Sequence, residues 1–122
     1  MYEIIFYKTK HGEVPVKDYI SELSKETSKD GRIRLAKVEI CMKLLKEYGF
    51  GLKRPYAAPL KNKIWELRPQ NNRIMFAAAF QNSFILLHVF KKDTDKVPDS
   101  EIEKAEKELA DFYARGKEGY ER

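Results

Sequence analysis

The chain has 122 residues, one cysteine, 35% charged and 43% hydrophobic side chains, and a formal charge of +5. That length supports one core without disulfide or metal staples, and the composition is that of a folded domain rather than a disordered tail. No apolar run approaches the roughly 20 residues of a spanning helix, and "MYEIIFYKTK" has no basic stretch ahead of an apolar segment, so one domain over residues 1–122, cytoplasmic and away from membranes, is expected.

"YEIIFYK" alternates aromatic and β-branched residues and predicts a strand with Tyr2, Ile4 and Phe6 on one face. A turn is expected at His11 and Gly12. From Pro15 onward, Val16, Tyr19, Ile20 and Leu23 recur at helical spacing, with proline suited to the first turn. This helix fades in the polar "SKETSKDG". A second helix is marked by a stripe of Ile33, Ala36, Ile40, Leu44 and Tyr48 and closed by the glycines of "YGFG". Cys41 lies near that stripe and reads as a small buried hydrophobe; no Cys/His cluster has metal-ligand spacing, and no metal or cofactor is expected. Arg32, Arg34, Lys37, Lys43 and Lys46 lie mostly off the stripe and, mixed with Glu39 and Glu47, read as a solvated outer face.

With two prolines so close, "LKRPYAAPLKNK" reads as a loop. "IWELRPQNNRIMFAAAFQNSFILLHVFKK" then predicts three strands joined by two short turns. After "VPDS", with Asp99 or Ser100 as N-cap, Ile102, Ala105, Leu109, Phe112 and Tyr113 give a last amphipathic helix, rich in Glu and ending in a polar tail. The fold class is therefore α+β: an N-terminal strand, two helices, a three-stranded antiparallel meander and a C-terminal helix, with the helices packed on one face of a small twisted sheet.

Charge concentrates on the meander. Residues 53–92 carry 8 Lys+Arg against a single acid, Glu66, whereas residues 93–122 carry 6 against 10. A one-sign field repels itself unless an anion such as a phosphate backbone is the partner. If Gln81 and Asn82 form a two-residue hairpin turn and "PQNN" a four-residue turn, Phe80 pairs with Ser83, Phe76 with Leu87, Met75 with His88 and Arg73 with Phe90. Across the other turn Arg68 meets Arg73, Leu67 meets Ile74 and Glu66 meets Met75. One face then collects Trp65, Leu67, Ile74, Phe76, Ala78, Phe80, Ile85, Leu87 and Val89. The other collects Glu66, Arg68, Arg73, Met75, Ala77, Ala79, Phe84, Leu86, His88 and Phe90. Opposed like charges weaken a strand pair by some tenths of a kcal/mol, and a neighbouring anion reverses that effect. Arg68 paired with Glu66 or with an acid on the C-terminal helix, and His88 satisfied inside a core, are the plain structural alternatives.

Arginine, lysine, histidine and one carboxylate suit metal-independent cleavage of RNA, in which the 2′-hydroxyl attacks the adjacent phosphorus. Arg68 and Arg73 would clamp the phosphate as charge grows on it. Glu66 or His88 would take the 2′-hydroxyl proton; His88, Lys91 or Lys92 would protonate the leaving 5′-oxygen. Lys53, Arg54, Lys61 and Lys63 border the site as phosphate contacts, and Phe90 and Tyr56 offer faces for an extruded base.

"LK" before the first meander strand, "ELR" on it, "RI" opening the next, and "LHVFKK" followed by a proline and "EI" together resemble the toxins of the RelE/ParE superfamily, in the HigB-like, phage-derived branch. The resemblance implies a small cytoplasmic toxin encoded beside its antitoxin, acting as a metal-independent, ribosome-dependent mRNA endonuclease in the aminoacyl site. Carried over by position, its functional residues are Lys61, Arg68, Arg73, His88, Lys91 and Lys92. Where related toxins often place a tyrosine near the end of the last strand, this chain has Phe90, which removes a phenolic proton donor. Two other readings compete: a ParE-like toxin that poisons DNA gyrase, and a nucleic-acid-binding module without catalysis.

Overall fold

A computed structural model describes residues 1–122. Strand β1 (Glu3–Tyr7) leads through the His11–Gly12 turn into α1 (Pro15–Lys25), with Pro15 at the first turn and the Asp18 carboxylate accepting a hydrogen bond from the Val14 amide. Helix α2 (Lys29–Tyr48) starts at Ser28, whose hydroxyl accepts from the Gly31 amide at 3.1 Å. It ends at Gly49, where φ is +55° and a Cβ would come within 2.6 Å of the Tyr2 ring. There follow β2 (Ala57–Pro59), β3 (Trp65–Leu67), β4 (Asn72–Ala78), β5 (Ser83–Lys91), α3 (Asp99–Arg115) and β6 (Tyr120–Glu121).

The α+β class and the order of the main elements match the sequence reading. The six strands form one mixed sheet in the order β2-β3-β4-β5-β1-β6, antiparallel except where β1 runs parallel to β5. Two short strands were missed. β2 lies inside the proline-containing loop, where Ala57 and Ala58 pair with Leu67 and Glu66, and β6 forms within the polar tail. Helix α3 begins at Asp99 after Pro98 and has no side-chain cap, contrary to the N-cap expected from Asp99 or Ser100.

The helices lie on both faces of the sheet, not one. Ile4, Phe6, Leu67, Ile74, Phe76, Phe84 and Leu86 pack under α1 and α2; Ile5, Tyr7, Met75, Ala77, Ile85 and Leu87 pack under α3. The reason is visible in β1 and β5, which are apolar at successive positions and have no face to give to water. In α2 the buried residues are Gly31, Val38, Cys41 and Leu45. Ile33, Ala36, Ile40 and Tyr48 of the expected stripe are exposed instead, so the helix is apolar on two sides and the sheet takes the other one.

The distal register of the meander is as expected: Glu66 faces Met75, Leu67 faces Ile74, Met75 faces His88 and Arg73 faces Phe90. Near the β4–β5 turn it is not. Ala79 donates to the Ser83 carbonyl and Ser83 to that of Phe80, closing a three-residue loop with Asn82 at φ +60°. This slips the near half by one residue, so that Phe76 faces Leu86 rather than Leu87. A bulge between Met75 and Phe76 restores the register beyond it. Phe84 and Leu86 therefore belong to the α1/α2 side, and Ile85 and Leu87 join His88 under α3.

Candidate functional site: an arginine–glutamate clamp at the β3–β4 turn

The β3–β4 register continued by one residue brings Arg68 opposite Arg73. The anion between them is Glu66. Arg73 Nε lies 3.3 Å from Glu66 Oε1, and Arg68 Nη1 lies 3.4 Å from Oε2. Glu66 and Arg73 are buried, while the Arg68 side chain keeps 23% of its surface in solvent. Burial pushes the Arg73 pKa down; Glu66 opposes that shift, and Arg68 and Arg54 reinforce it. One carboxylate thus holds two guanidinium groups. Arg73 Nη1 also donates to the Gln70 carbonyl at 2.7 Å and the Asn72 carbonyl at 2.9 Å, bracing from beneath a turn in which Gln70 holds φ +56°.

His88 does not line an open cleft. It is 2% exposed, with Nδ1 at 2.5 Å from Glu108 Oε1 and Nε2 at 2.9 Å from Glu101 Oε1, both on α3. The helix places these glutamates two turns apart on one side, and they bracket the ring from either end. They were not anticipated. The available signal was a pair of Glu seven residues apart beside the apolar positions Ile102, Ala105 and Leu109. Phe90, half-buried, lies with its ring centroid 6.2 Å from that of His88.

The remaining residues scatter around this centre. Lys92 is half-buried at the end of β5 and its amide donates to the Asn71 carbonyl at 2.8 Å. Lys91, exposed, faces Asn72 and opens onto the α1/α2 side, in a cleft of about 370 Å³. Tyr56 is exposed, and its carbonyl accepts from the Arg68 amide; its ring borders a second cleft of about 250 Å³ with Lys37, Ile40 and Arg68. Lys53 and Arg54 edge an apolar groove formed by Phe50, Pro59 and Trp65. Lys63 lies against α3 near Glu106 and Tyr113, and Lys61 is exposed in the turn before β3. Arg34 and Lys37 of α2, read from sequence as part of a solvated outer face, border these two clefts.

The arrangement combines a partly open guanidinium, two buried groups that fix it, and cations on the surrounding rim. Arg68 is thereby held in place with part of its guanidinium open, a geometry able to accept an anion with little reorganisation. No helix is long and apolar enough to cross a membrane. No curated protein matches the chain significantly. A family model described as "Phage derived protein Gp49-like (DUF891)" matches residues 18–110, a span that takes in α2, the whole meander and most of α1 and α3. With the clamp and its supporting elements inside that span, the chain belongs to the Gp49-like family of phage-derived proteins, toxins of the RelE/HigB type that are paired with an antitoxin.

Proposed function

We propose that this protein is the single-domain, HigB-like toxin of a type II toxin–antitoxin pair, a cytoplasmic ribosome-dependent mRNA endonuclease that stops translation. The observation that carries this reading is the clamp, in which Arg68 and Arg73 share the Glu66 carboxylate and Arg68 remains partly open to solvent. Arg68 contacts the scissile phosphate. Arg73 and Glu66 fix its position from the interior, and Lys91 and Lys92 stand at the end of β5. The 2′-hydroxyl oxygen forms a bond to phosphorus and gives up its proton to a base. The bond to the 5′-oxygen then breaks, and that oxygen takes a proton from an acid. Glu66 and His88 are the bases within the clamp region, and His88 or a terminal lysine is the acid. With Phe90 in place of a phenol, a lysine gains weight in that role. Lys53, Arg54, Lys61 and Lys63 add phosphate contacts along the approach.

One observation favours a second reading. His88 is enclosed, and each ring nitrogen already meets a carboxylate, so the exposed groups alone make a binding surface. A gyrase poison or a non-catalytic nucleic-acid-binding module would need no more. Primer extension on a defined mRNA, with and without ribosomes stalled at a known codon, separates these readings. Cutting inside the stalled codon, only with ribosomes and lost in Arg68→Ala, supports the endonuclease. An intact message from folded protein overturns it in favour of binding.

A further inference from the structure

A polar cleft of about 370 Å³ lies beside the clamp, between α1, α2 and the β3–β4 turn. Tyr19, Arg34, Gln70, Asn71, Asn72 and Lys91 line it. Its chemistry differs from that of the clamp. The carbonyls of the turn are spent inside the protein: those of Gln70 and Asn72 accept from Arg73, Asn71 from the Lys92 amide, and Pro69 from the Asn72 amide. The side-chain amides of Gln70 and Asn71 make no hydrogen bond within the protein. Asn72 donates to the Tyr19 hydroxyl at 2.7 Å, which fixes one member of the set.

The charges in the cleft are also sorted. Glu22 pairs with Lys25 at 3.7 Å, and Glu26 lies against Gly31 in the first turn of α2, where the helix dipole favours a carboxylate. Arg34 and Lys91 have no acidic partner. Two free cations, unspent amides with both donors and acceptors, and a phenol whose pKa burial raises match a nucleotide: phosphate at the cations, base edge at the amides. A turn held with a non-glycine residue at φ +56° and braced by a buried arginine keeps those amides in place. Gln70 borders both this cleft and the one containing Arg68, so a strand crossing the turn passes from one to the other.

We propose that this cleft holds one RNA nucleotide next to the scissile phosphate, with Arg34 and Lys91 on its phosphate and Gln70, Asn71 and Asn72 reading its base. The assignment of the neighbouring scissile phosphate rests on the endonuclease reading above; the nucleotide site itself is tested without it. The isotope-labelled full chain is titrated with each ribonucleoside 3′-monophosphate, and with inorganic phosphate, while the amide signals are followed by NMR. The expected result is movement of the Gln70, Asn71 and Asn72 side-chain signals, with affinity that differs among bases. Arg34→Ala and Lys91→Ala each weaken binding about tenfold, a loss of about 1.4 kcal/mol. Asn71→Ala levels the base preference, and Arg68→Ala leaves binding in place. Because Arg34 and Lys91 have no partner in the fold, their variants keep the spectrum of the folded protein. Shifts confined to residues outside the cleft, none with millimolar nucleotide, or the same response to inorganic phosphate overturn the proposal. Cleft shifts with an intact message on ribosomes would keep the nucleotide site and remove the endonuclease. Cut message without cleft shifts would do the reverse.

Discussion

Replacing Glu66 by Gln keeps the shape of the clamp and removes its only negative charge. In the folded protein Arg73 would then sit with 8% of its side chain exposed and two carbonyl acceptors, but no counter-charge. Removing one partner of a fully buried ion pair costs roughly 3–5 kcal/mol. Here Arg68 is partly open, and the Arg73–Glu66 contact is an ion pair at 3.3 Å without an aligned hydrogen bond, so the low end applies. We expect a loss of about 3 kcal/mol, or about 10 °C in melting temperature for a chain of this size. Urea denaturation with a double-mutant cycle through Arg73→Met measures the coupling. The double variant should recover about 2 kcal/mol relative to the sum of the single losses. A Glu66→Gln protein within about 0.5 kcal/mol of the parent would refute the idea that Glu66 holds the arginines, leaving them held by the turn alone.

Arg68→Ala should lower single-turnover cleavage on stalled ribosomes by about 10²- to 10³-fold with under about 1 kcal/mol lost in stability, read by quench-flow primer extension and urea denaturation. Glu108→Gln should cost about 1–3 kcal/mol by loosening the 2.5 Å contact to His88, and Glu101→Gln less because its side chain is more exposed; denaturation midpoints give the order. The Tyr7–Asp111–Arg115 cluster predicts two pH limbs. Arg115, then Tyr7, hold Asp111 down to about 2 from its ordinary 3.8, so its stabilisation is full above 3.8 and is lost as pH falls toward 2. Burial, then Asp111, raise Tyr7 to about 12 from 10.0, so that contribution is full below 10 and is lost as pH rises toward 12. Asp111→Asn should flatten the acid limb of a stability–pH profile and lower the Tyr7 titration followed by ultraviolet absorbance. Asn82→Ala places a Cβ-bearing residue without a helpful side chain at φ +60° and should cost about 1 kcal/mol in thermal melts.

The elements were legible because each has a clear period and clear stops, as in Val16 through Leu23 after Pro15 or the glycines closing α2. The partner of β1 was not, since alternation in "YEIIFYK" says nothing about which strand lies beside it. α2 misled for a physical reason: Ile33, Ile40 and Tyr48 form as good a stripe as Val38, Cys41 and Leu45, and packing alone chooses between them. The meeting of Arg68 and Arg73 followed from the "PQNN" turn. His88 opposite Met75 was correct although the assumed two-residue turn was not, because the longer loop and the bulge offset each other. What sequence periodicity missed was contact across elements: Glu101 and Glu108 on His88, and Arg34 beside Lys91, join residues distant in the chain through the packing of α3 and α2.

The two edges of the sheet limit how another chain can attach. β2 has three residues and ends in Pro59, which lacks an amide donor, and β6 has two. Neither offers a row of free backbone groups long enough to template an added strand. An inhibitor that added a strand to β2 or β6 would gain few backbone hydrogen bonds. Contacts made through side chains on helices, turns and cleft rims, by contrast, leave residues on both partners free to change without disturbing the sheet.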